Sequence, residues 1–350
     1  MNRIVAGSVI FATSMLALLM GMLFMGQPPM AGWPLEQQRR DRSTGRRQTA
    51  AMSFPTADSI ELSGELYVAG SRGTVLVLHG LGAHAGVAAR TAEAILASSG
   101  FSVLAFDLRG NGGSSGPRGR VDRRQRYRED IDAIVRWIKR RNPSGPILLA
   151  GVRQGGGIGI DYMGSPENSA SRSKVQGVLL LDPILTLDSL ILAGTDDNAQ
   201  VEWHRSRLRA ITALDALGIH AFDRLAIGYQ RVRQQNGLVV RALPFGAVRA
   251  LLPPTPLASV RAYPGPVLLV TRSRLADLRS TDEREVVVSA GNVLEDPATW
   301  KAVERWTAQF SAAAELPPPI SPTIPLPVRD TMRGAVRGAV RGAVRGGTRR

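Results

Sequence analysis

The amino-acid sequence predicts an α/β fold in which helices flank a mostly parallel β-sheet. Six short runs bounded by glycine or proline are almost continuously apolar, which is typical of parallel strands covered on both faces. These runs are Thr74 to Leu78, Ser102 to Asp107, Pro146 to Ala150, Gly177 to Asp182, Pro266 to Thr271 and Glu285 to Ser289. Segments with helical spacing lie between several of them, and this alternation indicates repeated strand–helix–strand units.

Two of the predicted helices have clear apolar faces. Their apolar residues are Ile131, Ile134, Val135 and Ile138 in the first helix and Trp300, Val303, Trp306 and Phe310 in the second. Each set recurs with the period of a helix, so its side chains share one face. Asp296 and Pro297 supply an N-cap and a first-turn proline at the start of the second helix.

Residues 183–262 interrupt this alternation and predict a helical cap. They contain two plausible helices, about Ala199 to Leu217 and about Ala221 to Gln235, and no convincing strand. Ligands bind at the carboxyl ends of the strands in such sheets, and an insertion between two strands would close over them. The predicted organisation is therefore a core formed by residues 53–182 and 263–316, with a cap at 183–262.

Composition and charge limit the kinds of protein and site. The chain has 350 residues, 44% of them hydrophobic, so it can bury a large core, and it has no cysteine. Disulfides, thiolate metal sites and a cysteine nucleophile are therefore excluded. No cluster of acidic residues and histidines has metal-ligand spacing, so neither a metal nor another cofactor is expected. The net charge is +15, and most of it lies in the two ends of the chain, almost entirely as arginine.

Residues 1–52 predict a single-pass membrane anchor followed by a basic linker. Ile4 to Met25 is uncharged over 22 residues, and a helix of that length, at about 1.5 Å per residue, crosses a ~30 Å hydrocarbon core. A cleaved signal peptide is the competing interpretation, although its apolar core would be shorter, about 7 to 15 residues. The arginines after the span would keep the body in the cytoplasm by the positive-inside rule, but the side of the membrane stays open.

Residues 317–350 predict a proline-rich spacer and a disordered basic tail. Pro317-Pro318-Pro319 opens a stretch that favours polyproline II geometry, and the repeat Arg333-Gly334-Ala335-Val336 then recurs towards the end of the chain. One arginine every four residues could neutralise the phosphates of nucleic acid or anionic lipid. A solvated tail without a ligand is the favoured interpretation, because no aromatic residues are interleaved for base stacking.

Four glycine-containing motifs follow the predicted strands. They are His79-Gly80-Leu81-Gly82-Ala83-His84-Ala85-Gly86, Phe106-Asp107-Leu108-Arg109-Gly110-Asn111-Gly112-Gly113-Ser114, Gly116-Pro117-Arg118-Gly119 and Ala150-Gly151-Val152-Arg153-Gln154-Gly155-Gly156. In this order they resemble the α/β-hydrolase superfamily, most closely its branch of serine aminopeptidases, monoacylglycerol lipases and lysophospholipase-like proteins. The resemblance covers about residues 53–316 and implies the fold of that superfamily.

The resemblance implies a serine–aspartate–histidine triad whose serine lies on a sharp turn between a strand and a helix. The serine position holds Arg153, and the histidine position holds Asn292. The acid position aligns with Leu275, and Asp277 follows two residues later. The resemblance also places the backbone N–H donors of an oxyanion hole at Leu81 and Gln154. A guanidinium has no nucleophilic oxygen and an amide cannot cycle a proton near neutral pH, so the triad is degenerate.

The other histidines and serines near these motifs are interpreted as structural. The histidines are His79 and His84 in the loop after the first motif-bearing strand, and His204 and His220 in the cap insertion. Ser114 and Ser115 follow the Asp-Leu-Arg-Gly turn, where hydrogen bonding within the turn is the expected role. The run Gly155-Gly156-Gly157 lacks the Gly-Lys-Ser/Thr of a phosphate loop, so it predicts close helix packing.

Two functions are compatible with a hydrolase-like chain that has a degenerate triad. The first is a membrane-anchored pseudo-hydrolase in which Arg153 binds an anionic or acyl ligand. In the competing and favoured form of this function, Arg153 fills the cleft or pairs with an acidic side chain, and the protein serves as a partner of another protein. The second is an active serine hydrolase of lipid or small esters that uses a non-standard residue. The first is favoured, because removal of a single triad residue already lowers the rate of a serine hydrolase about 10⁴- to 10⁶-fold.

Overall fold

A computed structural model describes most of the chain up to residue 310. The described residues are 2–24, 49–68, 72–80, 85–117, 121, 123–166, 168, 175–193, 201–234, 237–272, 284–289 and 291–310. All of them lie in one compact unit, Met1–Pro317. The predicted proline-rich spacer and arginine repeat, at 317–350, lie outside the described residues.

Helices and strands alternate along the described chain. The helices are α1 (Asn2–Phe24), α2 (Ala85–Ser99), α3 (Gln125–Arg141), α4 (Gln154–Met163), α5 (Leu187–Ala193), α6 (Arg205–Ala216), α7 (Phe245–Ala250), α8 (Pro256–Ala262) and α9 (Pro297–Ala308). The strands are β1 (Thr49–Pro55), β2 (Glu61–Tyr67), β3 (Thr74–Leu78), β4 (Ser102–Phe106), β5 (Ile147–Val152), β6 (Gly177–Leu181), β7 (Val201–Trp203), β8 (Ala226–Gln234), β9 (Gly237–Pro244), β10 (Val267–Thr271) and β11 (Arg284–Val288).

The central sheet has eight strands in the order β1-β2-β4-β3-β5-β6-β10-β11. The strands from β4 to β11 in this order pair in parallel, and they are the six apolar runs of the sequence, so the predicted α/β fold is confirmed. The hairpin β1–β2 adds two antiparallel strands at one edge, which the sequence analysis did not predict. Asp296 caps α9 as expected, because its side chain accepts a hydrogen bond from the N–H of Ala298.

Alternate side chains of each parallel strand enter two separate apolar layers. Leu76 and Leu78 of β3 pack with helices α3 and α4 on one face of the sheet. Val75 and Val77 of the same strand pack with helices α2 and α9 on the other face. Because both faces are covered, the strands are apolar throughout, and the polar groups of the fold are confined to the strand ends and loops.

The cap between β6 and β10 contains helices and a small antiparallel sheet. Helix α6 corresponds to the first predicted cap helix, but the second, about Ala221 to Gln235, is wrong. Most of that segment is strand β8, which pairs with both β7 and β9. The sequence Asn236-Gly237 lies where the chain passes from β8 into β9, and this pair of residues is a strong hairpin signal. Antiparallel pairing of the two strands therefore outweighs the helical propensity of the segment. The boundaries 183 and 262 of the cap stay predictions.

The N-terminal segment forms a helix, but the predicted membrane anchor is wrong. Among the residues that the structure describes, no helix is long and apolar enough to cross a membrane. The last turns of α1 pack against the cap, where Leu23 is fully buried in an apolar cluster with α6. Arg207 of α6 donates from Nε to the Leu23 carbonyl oxygen at 2.6 Å. Burial against the cap therefore accounts for Leu23, whereas Leu18 and Phe24 stay exposed.

Candidate active site

The turn between β5 and α4 has the backbone of a nucleophile elbow. Arg153 is the single residue between the two elements, with φ 53° and ψ −117°. This region of conformational space is strained for a residue with a side chain. Two hydrogen bonds hold the turn to β6 and to the start of the cap. The Arg153 N–H donates to Leu181 O at 3.0 Å, and the Arg153 carbonyl accepts from the N–H of Ile184 at 3.0 Å.

Glycines allow this turn to pack closely. A Cβ on Gly151 would lie 2.5 Å from the Cα of Gly156, and a Cβ on Gly155 would lie 2.2 Å from the Leu78 carbonyl oxygen. Both distances are impossible for a real side chain, so only glycine fits at these two positions. The glycine run at the start of α4 therefore brings the helix against β3 and β5, as the close-packing interpretation predicts.

The Arg153 guanidinium belongs to a cluster with Asp182 and Arg272. Arg153 donates from Nη1 to Oδ2 of Asp182 at 3.2 Å. Arg272 approaches the same oxygen with Nε at 3.1 Å and Nη2 at 2.9 Å. The three residues follow β5, β6 and β10, which are neighbours in the sheet, so the cluster lies at the carboxyl ends of the strands. We call Arg153, Asp182 and Arg272 the elbow cluster.

Asp182 and Arg272 were not predicted as site residues. Asp182 follows β6 directly, and its position at a strand end is the sequence signal that could have found it. Arg153 and Asp182 expose only 19% and 20% of their side chains. Both side chains are therefore largely shielded from solvent.

Asn292, at the predicted histidine position, organises the turn before α9. Its Oδ1 accepts a hydrogen bond from the N–H of Leu294 at 3.1 Å. Its carbonyl accepts from the N–H groups of Glu295 and Asp296 at 2.9 and 3.0 Å. The side chain is exposed and contributes no imidazole. The catalytic role of this position therefore rests on the resemblance alone.

The other predicted site residues are only partly described. Gln154 is buried as the first residue of α4. Its Oε1 lies 2.7 Å from the position that a Cβ on Gly80 would occupy. It thus borders the loop after β3, as an oxyanion-side residue would. Leu81, Leu275 and Asp277 lie outside the described residues.

His79 is buried near the elbow but is fully engaged with the backbone. Its Nδ1 lies 2.7 Å from the Gly80 carbonyl oxygen, and its Nε2 accepts the N–H of Leu108 at 3.0 Å. These partners require a neutral ring that carries its proton on Nδ1. The imidazole joins the loops after β3 and β4, so it is structural and not a base.

The cap histidines and the serines after β4 also have local roles. Burial lowers the pKa of His204, whose ring packs edge-on against Tyr229. Ser114 donates to the Asp107 carbonyl at 2.5 Å and accepts the N–H of Ser63 at 2.9 Å. Ser115 accepts the N–H of Glu61 at 2.8 Å. The two serines fasten the loop after β4 to β2, as expected for turn residues. His84 lies outside the described residues.

Among the described residues, one group has the composition of a metal site. The ligand atoms of Asp215, His220 and Asp223 lie within 4.8 Å of one another in the cap. Arg249 donates to both carboxylates, with 2.9 Å between its Nη2 and Oδ2 of Asp223. A guanidinium therefore already supplies the positive charge that a metal would bring.

A mostly parallel eight-stranded sheet, an elbow between β5 and α4 and a cap inserted after β6 define the α/β-hydrolase fold. The chain therefore has the α/β-hydrolase fold. The family model described as serine aminopeptidase, S33, matches residues 69–213. A comparison of the sequence with curated proteins gives no match.

Solved structures share this fold at low sequence identity. A hypothetical protein from Pseudomonas aeruginosa is 19% identical with a TM-score of 0.52, over 80% of this chain and 99% of that one. The Butyrivibrio proteoclasticus protein Est1E, solved with ferulic acid bound, is 17% identical with a TM-score of 0.51, over 73% and 98%. An esterase from Pyrococcus furiosus is 18% identical with a TM-score of 0.50, over 76% and 92%. Identities this low support the common fold alone.

Proposed function

We propose that this chain is a non-catalytic member of the superfamily that binds a small anionic ligand at the elbow cluster. The observation that carries the proposal is the guanidinium of Arg153 at the elbow, where relatives that hydrolyse esters need a hydroxyl. A guanidinium stays protonated and offers five N–H donors, but it has no oxygen that could form an acyl intermediate. The site is therefore suited to holding an anion and unsuited to covalent catalysis.

The neighbouring groups add to the attraction for an anion. Asp182 accepts from both Arg153 and Arg272, so it holds two guanidiniums side by side. Planar guanidiniums bind carboxylate and phosphate through paired N–H donors. Arg153 also stands at the start of α4, where the helix dipole favours negative charge. We infer that the ligand has a carboxylate or phosphate head and carries an acyl chain that lies between core and cap.

A direct test compares binding and reactivity in the full chain. Native mass spectrometry and calorimetry with octanoate should show binding to the wild type that weakens about tenfold or more in Arg153→Ser, because one charge-assisted pair is lost. Arg209→Ser is the matched control, because Arg209 is exposed on α6 and is not in the elbow cluster. Equal octanoate affinity in all three proteins would contradict the proposal.

Reactivity separates this proposal from an active hydrolase. The wild type should neither react with a serine-directed fluorophosphonate nor turn over short acyl esters. Covalent labelling, or turnover that a single substitution abolishes, would support the alternative of an active hydrolase of lipid or small esters. Arg153→Ser should also stay inactive, because the described residues bring no imidazole to the elbow that could accept the serine proton.

A further inference from the structure

A second polar cavity lies between the start of α3, the loop after β4 and the cap. Its volume is about 850 Å³, which is within the range of pockets for drug-sized ligands. Its charged lining residues are Arg109, Arg123, Arg124, Arg126, Arg224 and Arg249, with Asp58 and Asp223. No residue of the elbow cluster lines it. We call it the arginine cavity.

Four of these arginines are paired with carboxylates, and the longest pair joins Nη2 of Arg123 to Oε1 of Glu129 at 3.9 Å. Arg109 donates to Asp130 from Nε at 2.7 Å and to Asp58 from Nη1 at 2.9 Å. Arg126 also lies 3.3 Å from Asp58, and Arg249 forms pairs with two aspartates in the cap. These ion pairs fix the shape of the cavity wall.

Arg124 and Arg224 have no such support within the described part of the chain. The Nη2 of Arg124 donates to the Arg249 carbonyl at 3.1 Å, and its buried Nε has no hydrogen-bond partner there. Burial lowers the pKa of Arg124, and Arg128 and Arg249 lower it further against an opposing effect of Asp161. Arg224 is exposed at the rim and contacts no carboxylate of the described residues. A half-buried cation with no carboxylate at ion-pair distance is costly, so a bound anion would relieve it.

We propose that the arginine cavity binds an organic phosphate. Arg124 comes from the core and Arg224 from the cap, so one anion can bridge the two parts. Two guanidiniums without carboxylate partners match the charge of a phosphate monoester, which is about −1.5 to −2 at pH 7. The apolar residues Ile60 and Val121 line the same cavity and offer a surface for the organic group. A monoanionic carboxylate would neutralise only one of the two arginines.

The test measures binding of phenyl phosphate to the full chain by calorimetry and thermal unfolding. The wild type should bind, and Arg124→Gln should weaken the Kd about tenfold or more, because a charge-assisted contact in a buried site is lost. Arg224→Gln should weaken it about threefold, since this arginine is exposed. Arg140→Gln, at the exposed end of α3, removes the same charge outside the cavity and should change the Kd less than about twofold.

The elbow variant separates this site from the elbow cluster. Arg153→Ser removes any phenyl phosphate binding at the elbow cluster, so adding Arg124→Gln to it should still weaken the remaining Kd about tenfold or more. Loss of binding in Arg153→Ser but not in the Arg124 and Arg224 variants would overturn the proposal. Equal binding of phenyl phosphate by all variants would also overturn it. So would binding of benzoate at the cavity that is as tight as that of phenyl phosphate. If Arg124→Gln fails to fold, Arg124→Lys keeps the charge and the contact with the Arg249 carbonyl, and Arg224→Gln decides the question.

Discussion

The protein contains two arginine–aspartate clusters that differ in burial and in the number of acids for each arginine. Around Arg109, one guanidinium is held by two carboxylates, Asp58 and Asp130, and both Arg109 and Asp130 are buried. In the elbow cluster, two guanidiniums share the single carboxylate of Asp182, and the side chains are partly exposed. Where the acids match the cation and water is excluded, the cluster holds the fold together. Where arginines outnumber the acid near a strand end, we propose that the cluster offers donors to a ligand.

The largest expected effect distinguishes the two clusters by stability. Arg109→Met should cost about 3–5 kcal/mol of unfolding free energy, because it leaves the fully buried carboxylate of Asp130 without its partner. Arg153→Met should cost less than about 1 kcal/mol, because its partner is partly exposed and keeps Arg272. Urea unfolding of both variants measures the difference. Equal losses would remove the contrast between a structural and a ligand-binding cluster.

A second prediction concerns the acid of the elbow cluster. Asp182→Asn removes the negative charge that competes with an anionic ligand, so the affinity for octanoate should rise about tenfold at low ionic strength. The gain should shrink as salt is added, because exposed charges are screened. Asp188→Asn is the control, since Asp188 is exposed on α5. A fall in affinity would mean that Asp182 acts mainly by positioning the arginines, and an unchanged affinity would argue against a ligand at this place.

The smallest effect is a pH dependence in the Arg109 cluster. Hydrogen bonding from Arg109 holds the pKa of Asp58 well below its ordinary value of 3.8, with Thr56 and Arg126 acting in the same direction against the effect of burial. A depressed pKa stabilises the fold above the unfolded-state pKa, and this contribution is lost as the pH falls towards the folded-state value. The unfolding free energy of the wild type should therefore exceed that of Asp58→Asn by about 1 kcal/mol at pH 6. This is the usual contribution of a partly exposed ion pair.

This advantage should decrease steadily as the pH falls below about 4. Thermal unfolding at a series of pH values measures both proteins under matched conditions. A constant difference between pH 6 and pH 2 would show that Asp58 contributes through packing and not through its charge. Of the two aspartates that pair with Arg109 in the described part of the chain, Asp130 alone would then stabilise the fold through its charge.

The sequence predicted the parallel part of the sheet because burial on both faces leaves a simple signal. It missed β2, where buried and more exposed residues alternate and where Gly64 sits against the Ala105 carbonyl oxygen of β4. It also missed β8, whose arginines and glutamines resemble a polar helix until its hairpin pairing with β9 is known. Strands with one polar face carry too little apolar pattern to be distinguished by periodicity alone.

The sequence could predict the part of the site that is formed by residues close to one another in the chain. Arg153 follows directly from the elbow motif, since its neighbours in sequence are also its neighbours in space. Its ion pair with Asp182, and the ion pair of Asp182 with the more distant Arg272, depend on β5, β6 and β10 lying side by side, which local patterns do not reveal. The N-terminal helix shows the same limit, because the length and composition of α1 could not reveal that Leu23 packs into the cap.

The left-handed backbone at the elbow also bears on the history of the chain. Glycine would remove about 1 kcal/mol or more of strain at the position of Arg153, whose φ is 53°. Arginine and glycine codons can differ by a single base, so mutation alone could reach the relaxed residue in one step. Under neutral drift, the bulkier side chain would be the less favoured outcome at this position. If the proposed anion site is real, the guanidinium offsets this conformational cost through its contacts with the ligand.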